Sequence, residues 1–155
     1  MLTLHLVTAL GLIGIASVLS ALGAAGWSGA DPETIYPAMS LVARAVLTPL
    51  IILALVVGIT QALIVGYGLT RHWWVTTKLG ILSALVLVEV AVVLPGLGRA
   101  AGAATAGQEV TTAQQITATL APAAAMILML VAASLGVFKP GPAHRRLAGD
   151  ALARG

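Results

Sequence analysis

The chain has 155 residues, 59% of them hydrophobic and 8% charged, with a mean hydropathy of +1.05. A soluble domain carries about 25% charged residues, and a chain this short leaves too much of itself at the surface to hide so much apolar area. That composition excludes a soluble enzyme, a nucleic-acid-binding module and a disordered tail, and 8 Lys and Arg against 5 Asp and Glu are in any case too sparse for a phosphate-binding face.

Four apolar runs, at residues 3–25, 39–67, 74–95 and 115–138, reach the ~20 residues that a helix needs to cross a ~30 Å hydrocarbon core. They predict an all-α integral membrane four-helix bundle, because a lipid-facing backbone must satisfy its own hydrogen bonds. The whole of 1–155 reads as one transmembrane domain with a basic tail at 140–155. The first run has no Lys or Arg before it, so it is read as a retained helix rather than a cleaved signal peptide. Residues 27–37 form an outer loop with the turn formers Gly29, Asp31 and Pro32. The second run is longer than a span requires and contains Pro49, which predicts a tilt or a kink. Residues 68–72 make a tight inner turn, so the second and third spans are an antiparallel hairpin. The Ala/Gly/Thr-rich stretch 98–114 reads either as an outer loop or as a helix extension.

Four spans put both termini on one side, with Arg71, Lys78, Lys139, Arg145, Arg146 and Arg154. Arg99, Asp31, Glu33 and Glu109 fall on the other. The positive-inside rule therefore predicts both termini in the cytoplasm, N-in and C-in. Trp27 and Tyr36 fall at the outer edge, and Tyr67, Trp73, Trp74 and Phe138 at the inner edge, as a double aromatic belt.

Lipid tails are as apolar as Leu, so helices associate through close backbone approach. Ala54, Gly58, Ala62 and Gly66 supply small residues at a spacing of four in the second span, and Ala16, Ser20 and Ala24 do so in the first. Such stripes mark packing faces rather than activity.

Glu89 stands inside the third run, where an ionised carboxylate costs about 2.5–3.5 kcal/mol on insertion scales. Arg44 is the obvious partner, and helical-wheel arithmetic turns it toward the bundle, with Thr48 one turn on. Counting back from the inner turn, however, leaves the two about 10 Å apart along the axis. The competing expectation has Arg44 snorkelling to the outer headgroups, with Glu89 as a neutral acid bonded to Gln115, Thr119 or a backbone carbonyl. Gln61 is a further polar candidate, explained equally by hydrogen bonding inside the bundle. His5 and His72 both fall at the inner edge; a bis-His haem is geometrically open to them, but interfacial histidines are the simpler reading. No catalytic set and no metal-ligand spacing stands out, and no cofactor is expected.

The string Arg71-His72-Trp73-Trp74-Val75 with Lys78 reads as an inner-edge anchor, basic groups for anionic lipid and indoles for the headgroup layer. The longer segment Gly68-Leu69-Thr70-Arg71-His72-Trp73-Trp74-Val75-Thr76-Thr77-Lys78, with His5 near the start, resembles uncharacterised small four-helix bacterial membrane proteins. In those, a Gly-Leu-x-Arg-His-aromatic-Trp-Val-x-x-Lys segment opens the third helix. The resemblance implies topology and a bacterial source; it brings no activity. A looser likeness to copper-resistance-like proteins conflicts with the lack of Cys and the scarcity of His and Met.

These readings converge on an accessory or scaffolding protein of the bacterial inner membrane. Its expected partners are anionic lipid at the cytoplasmic face and either further copies of itself, as a homo-oligomer, or a larger membrane complex. The alternatives are a small-solute or proton-linked transporter working as an oligomer, with Arg44, Gln61 and Glu89 lining a path, and a b-type haem electron carrier.

Overall fold

The computed structural model describes residues 2–64 and 73–138. They form four helices, α1 (Leu2–Trp27), α2 (Pro32–Ile64), α3 (Trp73–Thr105) and α4 (Thr112–Phe138), with no strand among the described residues. All four are long and apolar enough to cross a membrane, which is compatible with a multi-pass membrane protein. The expected inner turn 68–72, Tyr67, the tail 140–155, and with them Gly66, Arg71 and His72, fall outside the described residues.

Both described connections lie at one end of the bundle, called here the far end; the start of α1 defines the N-terminal end. Each connection is closed by a glycine in the left-handed region. Gly29 has φ +92° and follows α1, where the Ala30 N–H donates to the Ala25 carbonyl. Gly107 has φ +66° and follows α3, where the Gln108 N–H donates to the Ala103 carbonyl. Both are helix stops in which a backward bond satisfies an orphan carbonyl.

The next helix starts immediately in each case. Asp31 caps α2, accepting from the Glu33 N–H at 3.3 Å and the Thr34 hydroxyl at 2.6 Å, with Pro32 in the first turn. Thr111 and Gln114 form a reciprocal capping box ahead of α4: the Thr111 N–H donates to Gln114 Oε1 at 2.9 Å, and the Gln114 N–H donates to Thr111 Oγ1 at 3.4 Å. The helices therefore continue beyond the apolar runs. Most of the stretch expected as the outer loop 27–37 is the first turns of α2, and residues 98–105 are an extension of α3. At 33 residues each, α2 and α3 are about 50 Å long, more than the hydrocarbon core requires. Tyr36 is one consequence. Expected in the aromatic belt, it is 1% exposed, because the early start of α2 turns it under the end of α1.

The two central helices share a defect. Residues Ala43–Leu47 of α2 and Glu89–Val93 of α3 are π-helical: the Thr48 N–H donates to the Ala43 carbonyl and the Leu94 N–H to the Glu89 carbonyl, five residues back. Each π turn ends two residues before a proline, Pro49 or Pro95. A proline has no N–H to give to the preceding turn and its ring crowds that turn's carbonyl, so widening the helix there relieves both conflicts. The irregularity expected near Pro49 takes the form of this wider turn.

The widening also sets what is buried. Met39, Ala43, Leu47 and Ile51 are core residues at intervals of four, as are Leu85, Glu89, Val93 and Leu97. A regular α-helix rotates about 40° for each such interval, so three would carry the face about 120° away. One extra residue in a π turn takes back most of that rotation.

The far-end halves of α2 and α3 pack on each other, and α1 lies along α4 and against the second half of α2. The tightest crossing is at Gly23 of α1, where a Cβ would stand 2.8 Å from the Ala118 carbonyl oxygen and from Thr119 Cα of α4. Pro122 has no N–H to offer the Ala118 carbonyl four residues before it, and that carbonyl meets the bare Gly23 backbone instead.

Candidate functional site

Glu89 is 5% exposed, more deeply buried than any other Asp, Glu, Lys, Arg or His side chain among the described residues. The π turn that begins with it keeps it in line with Leu85 and Val93, facing the bundle interior. The polar group that faces it is the hydroxyl of Thr48, the residue that closes the π turn of α2. Thr48 Oγ1 lies 2.9 Å from the Ala43 carbonyl and donates to it. Glu89 Oε1 is buried with no hydrogen-bond partner.

The carboxyl lines a partly open cavity of about 40 Å³, walled also by Ala16 of α1, Leu47 and Ile51 of α2, and Ala121, Pro122 and Met129 of α4. At ~10–15 Å³ per water the space holds about three waters and no larger solute. Nearer the N-terminal end lies a second cavity of about 110 Å³, with His5, Thr8 and Lys78 among otherwise apolar walls. His5 Nδ1 is buried without a partner, and Lys78 lines the same cavity. Lys78 Nζ also sits 5.8 Å from the centre of the Trp74 ring, a cation–π distance. Leu85 and Met129 line both cavities.

Arg44 takes no part in this site. It is exposed, and its guanidinium lies over Gly98, where a Cβ would meet Nη2 at 2.6 Å. The wheel that turned Arg44 inward assumes a straight helix between it and Ala54; the π turn breaks that phase, leaving Ala43 fully buried and Arg44 outside. Gln115 and Thr119 serve their own surroundings, Gln115 Nε2 donating to the Val110 carbonyl at 3.2 Å and Thr119 Oγ1 to the Gln115 carbonyl at 2.9 Å. Gln61 Oε1 is buried without a partner, near the N-terminal end of the bundle.

The small residues divide. Ala16, Ala54 and Ala62 are buried, and the Ser20 hydroxyl donates to the Ala16 carbonyl at 2.8 Å. Gly58, between two of them in sequence, has no heavy atom within 4 Å of where a Cβ would be. Trp73 of the anchor string is 54% exposed, as is Trp27 at the opposite end. Sequence reasoning missed Thr8, which is 2% exposed, and the parts played by Gly23, Pro95 and Pro122. The available signal was the recurrence of proline in three of the four helices.

Among the described residues no group of three or more His, Cys, Asp or Glu is placed to hold a metal ion. The chain matches no known family model, no curated protein and no solved structure.

Proposed function

We propose that this chain is an accessory or scaffolding subunit of a bacterial cytoplasmic membrane, with both termini inside, that packs against copies of itself or a larger complex. The observation that carries this reading is the unfilled space at Gly14, Gly58 and Gly80. These lie on three different helices, and none has a heavy atom within 4 Å of where its Cβ would stand. In lipid, such positions let a second helix approach closely, and the bundle itself does not use them. The exposed Trp73 and the basic residues near it in sequence would hold the same end against anionic headgroups. Mild-detergent extraction from native membrane, followed by mass analysis, tests the reading. Associated chains that disappear with Gly58→Leu or Gly14→Leu support it, and a lone monomer contradicts it.

Glu89 favours a second reading, a proton-linked role within such an assembly. A packing subunit gains nothing from a buried carboxyl with one oxygen left unpartnered, and intramembrane acids mark proton and ion pathways. The cavity beside it admits water and a proton but no solute. Comparing proton flux in proteoliposomes before and after Glu89→Gln tests this: equal flux removes the role.

A further inference from the structure

The two cavities lie end to end along the bundle, and each contains a buried polar atom with no partner: Glu89 Oε1 in one and His5 Nδ1 in the other. Their shared walls are Leu85 and Met129. We propose that the cavities are two halves of one proton path linking Glu89 to the N-terminal end of the bundle, with His5 as the relay and Leu85 and Met129 as the constriction between them. The proposal rests on the proton-linked reading of Glu89 and not on the packing reading.

Glu89 and Lys78 belong to the same helix and are separated by about 16 Å along its axis, too far for direct transfer from the His5 region, so water must carry the proton. The larger cavity, about 110 Å³, holds several waters at ~10–15 Å³ each. Thr8 and Lys78 line the larger cavity and Glu89 the smaller, while His5 Nδ1 and Glu89 Oε1 are covered and meet cavity water only as the side chains over them move. Between them Leu85, Met129 and Ile51 are apolar, and apolar space of this size stays dry. Conduction therefore requires a transient opening. Met129 suits that role, being unbranched and able to change rotamer without disturbing the backbone.

The proton balance is simple. The His5 imidazolium gives an N–H proton to the cavity water and the water chain delivers one to the Glu89 carboxyl, while the proton that the carboxyl already carried returns along the same chain to His5 and from there to the aqueous phase. The carboxyl is a neutral acid before and after, and no electron moves. The groups facing each site are few. Glu89 meets Thr48 of α2, while the wall residues contributed by α1 and α4 carry no charge. His5 meets Lys78 of α3 and Thr8 of its own helix, and the wall residues from α2 and α4 are apolar.

The test uses the full chain in lipid vesicles and infrared spectroscopy of the carboxylic acid C=O stretch, assigned to Glu89 by its loss in Glu89→Gln. The rate at which that band shifts after transfer to D2O reports access to the carboxyl. The path predicts that His5→Leu and Leu85→Trp slow exchange by about tenfold, and that Met129→Ala speeds it by about as much by opening the constriction. Should Leu85→Trp fail to fold, His5→Leu and Met129→Ala decide between them. A band present in every variant with unchanged exchange rates overturns the path and leaves the Glu89 reading standing. Absence of the band in the unsubstituted protein overturns both.

Discussion

At the scale of single residues, Glu89 and Gly23 are opposites. Gly23 is forced by packing: its missing side chain lets α1 meet the Ala118 carbonyl, and the atoms in the way are backbone that cannot step aside. Gly23→Ala is expected to destabilise the protein by about 1–3 kcal/mol, read as a lower midpoint in detergent unfolding. Gly14→Ala is the control, since nothing lies within 4 Å of its Cβ position; there the better helix propensity of alanine should leave stability unchanged or slightly raised. Glu89 is a group that packing does not require. Its Oε1 is buried without a partner, so replacing the carboxyl by an apolar side chain of similar length removes a desolvation penalty of about 1–3 kcal/mol. Glu89→Met should therefore leave the unfolding midpoint equal or higher. A marked drop would show instead that the carboxyl makes a structural bond worth keeping. Glu89 was legible in the sequence as a lone acid in an apolar run. Its neighbour was not: Thr48 and Arg44 were read as sharing one face, and only the fold separates them.

At the scale of elements, the two π turns govern which residues face inward, and they explain most of what hydropathy could not foresee. Apolar runs locate the four helices because lipid leaves a backbone little choice. The Asp31 cap and the Thr111–Gln114 box were written in the sequence, yet weak patterning on either side hid how far α2 and α3 extend. A wheel of constant pitch fails across Ala43–Leu47, and with it the inward placement of Arg44. If each π turn holds one extra residue, deleting Ala91, which is exposed within the turn of α3, should convert it to regular α-helix and leave a folded, monodisperse protein. Deleting Ala84, exposed in the regular part of the same helix, rotates everything beyond it by about 100° and should abolish folding. Circular dichroism melts and elution profiles of the two deletions decide the matter; equal damage from both would refute the account of the turns.

At the scale of the whole molecule, most of the apolar surface points outward. Between 17% and 28% of each span's most apolar window is buried inside the bundle, and Leu10, Leu41 and Leu87 are each at least 67% exposed. Such a surface is incompatible with water and ordinary in lipid. The bundle has to cohere by close contact at a few glycines and alanines while keeping one acid and one histidine inside. The unfilled glycines on its outside predict association: Gly58→Leu should leave the monomer folded and reduce crosslinking to its partner by about tenfold or more, as small-residue contacts in membranes are sensitive to added bulk. Unchanged crosslinking would place the interface elsewhere.

The central claim is that four helices cross the membrane, with both described connections on one face and the N-terminus and tail on the other. The chain contains no cysteine, so a single introduced thiol reports its own side without background. Ser28→Cys and Gln108→Cys lie in the two far-end connections, and Thr3→Cys and Ala153→Cys probe the two ends of the chain. A membrane-impermeant maleimide applied to intact cells should label the first pair and reach the second pair only after permeabilisation. Labelling of Ser28→Cys and Gln108→Cys from opposite faces would contradict the account.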